Sequence, residues 1–352
     1  MNQVSTLSEF LEATGTRLQG FDMRRRVSPI PEKDFLRFEK TEIPYPLPLQ
    51  RQAWLGLLLQ ELEKRGNEPS IWFIRLPLDE QAKLVLASRD EFLHRLLESM
   101  DKDLRGEHRE KMQSALAESP FAFRPKPERM AVFHAKVTAG LRQPPSRHYA
   151  HARDYFSGKL GWDQWSFLGY QGIADLAARL DTDENAELLA QAIPQLPPSP
   201  LEALCHCLEN GPVPPGLARA LSDRTESTLG GENPDPQVLT AAIRGISQAT
   251  NQRLRGEMLR KVLVHEMGRR GDILAAVAGR AWEALTDEGL RNLFLQRLAV
   301  NDQDQSFFEQ LLGDLLFLPP TREAMLASLR NPNRSASLNA AISRFFSHVR
   351  GE

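Results

Sequence analysis

The chain has 352 residues, 41% of them hydrophobic, and a formal net charge of -2. That length fits two or three domains with sizeable apolar cores. The charge is balanced along the chain, 23 basic to 21 acidic residues up to Arg142 and 21 to 25 after it. Bulk charge therefore gives no reason to expect naked DNA or an anionic membrane as partner.

No run approaches the roughly 20 apolar residues that span a bilayer. The opening MNQVSTLSEFLEATG has no basic or apolar leader region, and its acidic residues argue against a transit peptide. The two cysteines, Cys205 and Cys207, are too close in sequence for an ordinary disulfide. A reducing cytoplasm is the expected location, with no membrane partner.

Residues 6–15 read as a short helix capped by Ser5 or Thr6 and stopped by Gly15. Residues 21–27 (FDMRRRV) read as a strand, and 31–42 as a helix with proline in its first turn. Pro44, Pro46 and Pro48 lock an extended segment. The apolar runs 54–59 (WLGLLL) and 71–76 (IWFIRL) predict a hairpin with a long polar loop containing Gly66, Asn67 and Pro69. The first run reads equally well as helix, because Leu is no strand former. Asp79 is expected to cap a helix reaching about residue 100, with further helices over 107–118 and 128–141 and a proline-punctuated linker over 120–127. Residues 1–145 thus predict a small α+β domain with about three antiparallel strands.

From residue 146 the pattern is helical. Helices are expected over 147–157, 162–180, 184–193, 200–209, 214–228, 236–250, 252–268, 271–285, 287–299, 304–317, 320–330 and 335–349, with short separators rich in Pro, Gly, Asn and Asp. Three of them share one pattern: LTAAI from Leu239, ILAAV from Ile273 and LNAAI from Leu338. Their starts lie 34 and 65 residues apart, near one and two units of a helix-pair repeat, and Gly245 aligns with Gly279. The expected fold is mostly α: an N-terminal α+β domain, then a HEAT-like α-solenoid over 146–352, with an irregular helical bundle as the alternative.

Residues 148–180 concentrate two Trp, three Tyr, two Phe and two His. His148, His151 and Asp154, spaced H-x-x-H-x-x-D, fall on one arc of a helix and are candidate metal ligands; the alternative is a polar helix face. Trp162 and Trp165 flank Asp163, which is placed to cap the helix that follows. With Tyr149 and Tyr155 they read either as an apolar seal between domains or as an aromatic contact for a protein partner. Cys205-His206-Cys207 sets its thiols about 200° apart on a helix, which fits buried thiols better than a metal pair. Arg24 and Arg26 would share one face of a strand and are candidates for anion contact, with Arg25 on the other. No phosphate loop, dinucleotide fingerprint or nucleophile elbow is present, so no cofactor is expected.

The stretches FDMRRRV, PYPLPLQRQAWLGLL, IWFIRLPLDEQ, RMAVFHAKVTAGL, SRHYAHARDYFSGKLGWDQWSFLGYQGIADLAARL and PLEALCHCLE resemble a bacterial family of unknown function, DUF3549, over nearly the whole chain. The resemblance implies a cytoplasmic bacterial protein and carries no catalytic motif. The expected function is therefore a non-enzymatic interaction or adaptor protein that binds a protein partner on its helical surface, through Tyr149, Tyr155, Trp162, Asp163 and Trp165. The alternatives are an enzyme of unrecognised type, such as a metal-dependent hydrolase at His148, His151 and Asp154, and a nucleic-acid-associated protein using Arg24 and Arg26.

Overall fold

A computed structural model of the chain describes residues 6–13, 15–61, 69–101 and 119–350. The helix expected over 107–118 and the hairpin connector at 62–68 lie outside the described residues. Those described are mostly helical, with one four-stranded antiparallel sheet. The chain divides into two compact units, Met1–Lys126 with Phe317–Pro319, and Pro127–Leu316 with Pro320–Glu352.

The first unit runs α1 (Leu7–Ala13), β1 (Thr16–Asp22), β2 (Ser28–Pro29), α2 (Glu32–Glu39), β3 (Gln52–Glu61), β4 (Ser70–Pro77) and α3 (Leu86–Asp101). The sheet order is β2-β1-β3-β4. β3 and β4 pair Leu55 with Ile74 and Leu57 with Trp72. Side chains alternate along a strand, so Leu55, Leu57 and Leu59 share a face with Trp72, Ile74 and Leu76. That face is the core, joined by Phe35 and Phe38 of α2 and by Phe92 and Leu96 of α3. Burial on this face outweighs the weak strand propensity of Leu.

The structure corrects the expected strand over 21–27. The strand is Thr16–Asp22, and its residues in register with Leu59, Leu57 and Leu55 are Leu18, Gly20 and Asp22. Only one of these is a large apolar residue. Gly20 leaves room for the Phe35 ring, which lies 2.6 Å from where a Cβ would stand. Asp22 is buried, accepting 2.7 Å bonds from the Arg26 backbone N–H and the Tyr45 hydroxyl. Its carboxylate thereby helps to fold residues 23–27 into a bend. Arg25 is buried and donates Nε and Nη2 to the Pro48 carbonyl at 3.1 and 2.8 Å. Arg24 lies 5.3 Å over the Trp54 ring, and Arg26 is buried. Arg24 and Arg26 therefore do not share an exposed strand face.

Asp79 also departs from expectation. Its Oδ1 accepts from the Gln81 and Lys83 N–H groups at 2.9 and 2.8 Å, closing a turn with Ala82 at φ 60°. The helix begins only at Leu86.

The second unit begins with α4 (Pro127–Gly140), expected within the first domain. Arg179 ties its C-terminal end in, donating to Thr138 Oγ1 at 3.1 Å and to the Gln143 carbonyl at 3.2 Å. Next come α5 (Tyr149–Phe156), a 3-10 turn (Trp162–Phe167), α6 (Tyr170–Ala177), α7 (Asn185–Ala192), α8 (Pro198–Leu208) and α9 (Pro215–Leu229). The chain continues with α10 (Pro236–Ile246), α11 (Gln252–Val264), α12 (Gly271–Arg280), α13 (Glu288–Leu298), α14 (Gln305–Phe317), α15 (Pro319–Arg330) and α16 (Ala336–Arg350). The helices expected over 252–268 and 271–285 each end early and continue as a 3-10 turn. In the first of these, His265 Nδ1 accepts the Met267 N–H at 3.2 Å and starts the new turn.

Alternate helices pack on one another. α4, α6, α8, α10 and α12 form one row, and α5, α7, α9, α11 and α13 form a second. Side-chain bonds between successive members recur at a near-constant interval. Gln237 to Glu202, Arg244 to Glu209 and Lys261 to Glu226 each span 35 residues, and Arg297 to the Leu263 carbonyl spans 34.

Candidate functional site

Two clusters stand out in the second unit, one aromatic and one charged. The aromatic cluster begins where α5 ends. Gly158 and Gly161, with φ of 79° and 82°, make a left-handed turn that a side chain would strain. This turn folds Trp162 back against buried Tyr155, ring to ring at 5.8 Å and nearly perpendicular. The Tyr155 hydroxyl donates to the Trp162 carbonyl at 3.0 Å, which fixes the start of the 3-10 turn. Burial, then Asp163, pushes the Tyr155 phenol up to about 12, so it stays a donor.

In a regular 3-10 turn residues three apart eclipse, which would set Trp165 beside Trp162. The turn is not regular at Gln164, whose backbone leaves the helical range at ψ 17°. Trp165 is 43% exposed and Phe167 73% exposed, with Leu160 also at the surface. The result is an exposed apolar knuckle whose base is tied by the Tyr155–Trp162 ring contact and hydrogen bond.

The expected partner-binding residues therefore separate. Trp165 and Asp163 are exposed, and Trp162 is half-buried. Tyr155 is buried and serves packing. Tyr149 donates to Asp183 Oδ2 at 2.9 Å beneath the Arg153 guanidinium. Phe167, the most exposed large apolar residue among those described, lies within the expected helix over 162–180. No sequence signal marked the break at Gln164.

The metal arrangement does not assemble. The His148 ring lies against Gly169, His151 is exposed, and Asp154 pairs with Lys159 at 3.0 Å. Among the described residues, no group of three or more His, Cys, Asp or Glu is placed to hold a metal ion. Cys205 and Cys207 are buried free thiols, which burial pushes above the ordinary thiol range.

The charged cluster centres on Glu209, directly after α8. Its side chain is almost fully buried. Arg244 of α10 donates Nε to Oε2 at 2.6 Å and Nη2 to Oε1 at 3.0 Å. Arg129 of α4 donates Nη2 to Oε1 at 3.0 Å and Nη1 to Asn210 at 3.0 Å. Arg280 of α12 places Nε 3.4 Å from Oε2. One carboxylate thus joins three further helices of the same row. Burial disfavours its charge, but Arg280, Arg244 and Arg129 outweigh that and hold its pKa at about 2. Burial, then Arg244, lowers His206 to about 4, so that imidazole is neutral. Lys136 donates to the Asn210 carbonyl nearby. Sequence reading missed this site, since its members are scattered over some 150 residues and only the helix rows bring them together.

The second unit thus carries an exposed aromatic turn at Trp165 and Phe167 and a buried ion cluster around Glu209. The chain belongs to the family described as Protein of unknown function (DUF3549), whose profile matches residues 2–346. No curated protein and no solved structure matches it. Among the described residues, no helix is long and apolar enough to cross a membrane.

Proposed function

We propose that this chain is a non-enzymatic adaptor that binds a protein partner on a HEAT-like helical-repeat surface. The observation that carries the reading is the Trp165–Phe167 knuckle. Two large aromatic side chains stand in solvent on a turn whose base, Tyr155 and Trp162, is fixed by packing and a hydrogen bond. Rigid exposed aromatics carry much of the binding free energy at protein interfaces, because they bury large area for little lost freedom. The repeat reading is supported by the two helix rows and by bonds recurring at 34 or 35 residues. A reducing cytoplasm is supported by two buried thiols that remain unpaired.

The experiment is a pull-down from the native cytoplasm with wild type and with Trp165→Ala/Phe167→Ala. Recovery of a stoichiometric partner by the wild type alone supports the reading. Equal recovery by both, or none by either, contradicts it.

A further inference from the structure

Two guanidiniums of the first unit are stacked on one indole and have no anion. The guanidinium carbons of Arg24 and Arg75 lie 5.3 and 5.7 Å from the centre of the Trp54 ring, so they are at most about 11 Å apart. Among the described residues neither arginine side chain makes a hydrogen bond or an ion pair. Arg75 is exposed. Arg24 is half-buried, but none of its nitrogens is among the buried unpaired side-chain atoms, so its guanidinium reaches water. Arg124, exposed and likewise without a partner among the described residues, follows Phe123 directly in the chain.

The indole is itself fixed. Trp54 Nε1 donates to the Leu49 carbonyl at 3.0 Å, and the Phe123 ring meets it at 5.0 Å and at right angles. Phe123 is held by the edge strand β4: its N–H donates to the Phe73 carbonyl at 3.1 Å, and the Arg75 N–H donates to the Phe121 carbonyl at 2.7 Å. Trp54 and Arg75 stand directly opposite each other in the β3–β4 register. Arg24 follows Met23, whose N–H donates to the Trp54 carbonyl at 2.9 Å, and precedes Arg25, which is tied to the Pro48 carbonyl. Stacking occupies the flat face of a guanidinium and leaves its in-plane N–H donors to meet an anion.

The sheet supplies no counter-charge on this side. Its strands carry two acidic residues, Asp22 and Glu61. Side chains alternate along a strand, so both fall on the face of Leu55 and Leu59, and the Trp54 face carries none. Two fixed cations without a carboxylate match one phosphate group, which carries a charge of about -1.5 to -2 at neutral pH. A single carboxylate would neutralise only one of them.

We propose that Arg24 and Arg75, oriented by Trp54, form a binding site for the phosphoryl group of a small ligand, a phosphate monoester or a diphosphate. Every residue of the site belongs to the first unit, and the proposal does not depend on the adaptor reading. The chain as a whole carries a net charge of -2, which suits a compact dianion rather than a long polyanion.

The test is isothermal titration of the purified full chain with pyrophosphate in a low-salt buffer free of other multivalent anions. Saturable binding of one pyrophosphate per chain is expected. Arg24→Gln and Arg75→Gln should each weaken it about tenfold, the usual effect of losing a charge-assisted hydrogen bond. Arg253→Gln, at an exposed position of the second unit, should bind as tightly as wild type. On the wild type alone, inorganic phosphate should compete with pyrophosphate and acetate at equal ionic strength should not, a readout independent of any folding defect in the variants. A labelled single-stranded oligonucleotide forms the last arm and should bind more weakly than pyrophosphate. Absence of saturable pyrophosphate binding, or binding that both Arg24→Gln and Arg75→Gln leave unchanged, overturns the proposal. So does competition by acetate as strong as by phosphate, or tighter, Arg75-dependent binding of the oligonucleotide.

Discussion

Arg244 grips Glu209 with two parallel bonds, Nε to Oε2 at 2.6 Å and Nη2 to Oε1 at 3.0 Å, across 35 residues of chain. The pair joins the C-terminal ends of two stacked helices, α8 and α10. Cations suit that end of a helix because the backbone carbonyls there are unpaired. Glu209 turns that preference into a link between successive helices.

Glu209→Gln removes the charge that three arginines share. Leaving buried cations without their anion costs about 3–5 kcal/mol, and chemical denaturation of the variant should show a loss of that order. In the wild type, the folded-state pKa of about 2 lies below the ordinary 4.5. The stabilisation is thus present above about pH 4.5 and is lost as pH falls towards 2, by about 3 kcal/mol in all. Glu209→Gln should lack that acid-dependent limb. An unchanged limb would place the acid sensitivity elsewhere.

Glu39 predicts the opposite slope. It accepts from the Leu7 and Ser8 N–H groups and from the Ser8 hydroxyl, anchoring the start of α1. Burial outweighs these bonds and raises its pKa from 4.5 to about 7. The folded chain then holds a proton that the unfolded chain releases. Stability from this group is full below about pH 4.5 and declines as pH rises through 7. Glu39→Gln should flatten that decline in denaturant titrations at stepped pH, whereas a persistent decline would exclude Glu39 as its source.

Gly245 and Gly279 occupy matching places in the repeated sequence pattern but differ in space. A Cβ on Gly245 would meet Cys205 Sγ at 2.7 Å and Leu221 Cδ1 at 3.1 Å, whereas one on Gly279 meets nothing within 4 Å. Gly245→Ala should destabilise by about 1–3 kcal/mol through overpacking. Gly279→Ala should be neutral or gain up to about 1 kcal/mol from helix propensity. Paired thermal melts distinguish the two, and equal shifts would contradict the packing described.

Much of the second unit was legible because its helices are regular, well punctuated and apolar at helical spacing. Expected and observed limits of α7 through α13 differ mainly at their ends. The exceptions have local causes, such as the His265 cap that starts a 3-10 turn. β1 was misplaced because its core face carries Gly20 and Asp22, which make sense only once Phe35 and Tyr45 are in place. The aromatic concentration over 148–180 was visible, but which rings face solvent depends on one kinked residue, Gln164. The Glu209 hub was invisible because ion pairs across stacked helices leave no mark in any local window.

Trp165 and Phe167 should be dispensable for folding. Neither is buried, so Trp165→Ala/Phe167→Ala should change stability by no more than about 0.5 kcal/mol. Trp165→Ala alone should weaken partner binding by about 2 kcal/mol, roughly thirtyfold, as for an interfacial aromatic anchor. A large fall in melting temperature would mean that these rings serve the core instead.

The most direct test of the adaptor account is photo-crosslinking in living cells with benzoylphenylalanine in place of Phe167, compared with the same probe at Arg253, a distant and 90% exposed site. The account predicts one discrete adduct from position 167, none from 253, and its loss when Trp165→Ala is added. No adduct at 167, or the same products from both positions, would contradict it.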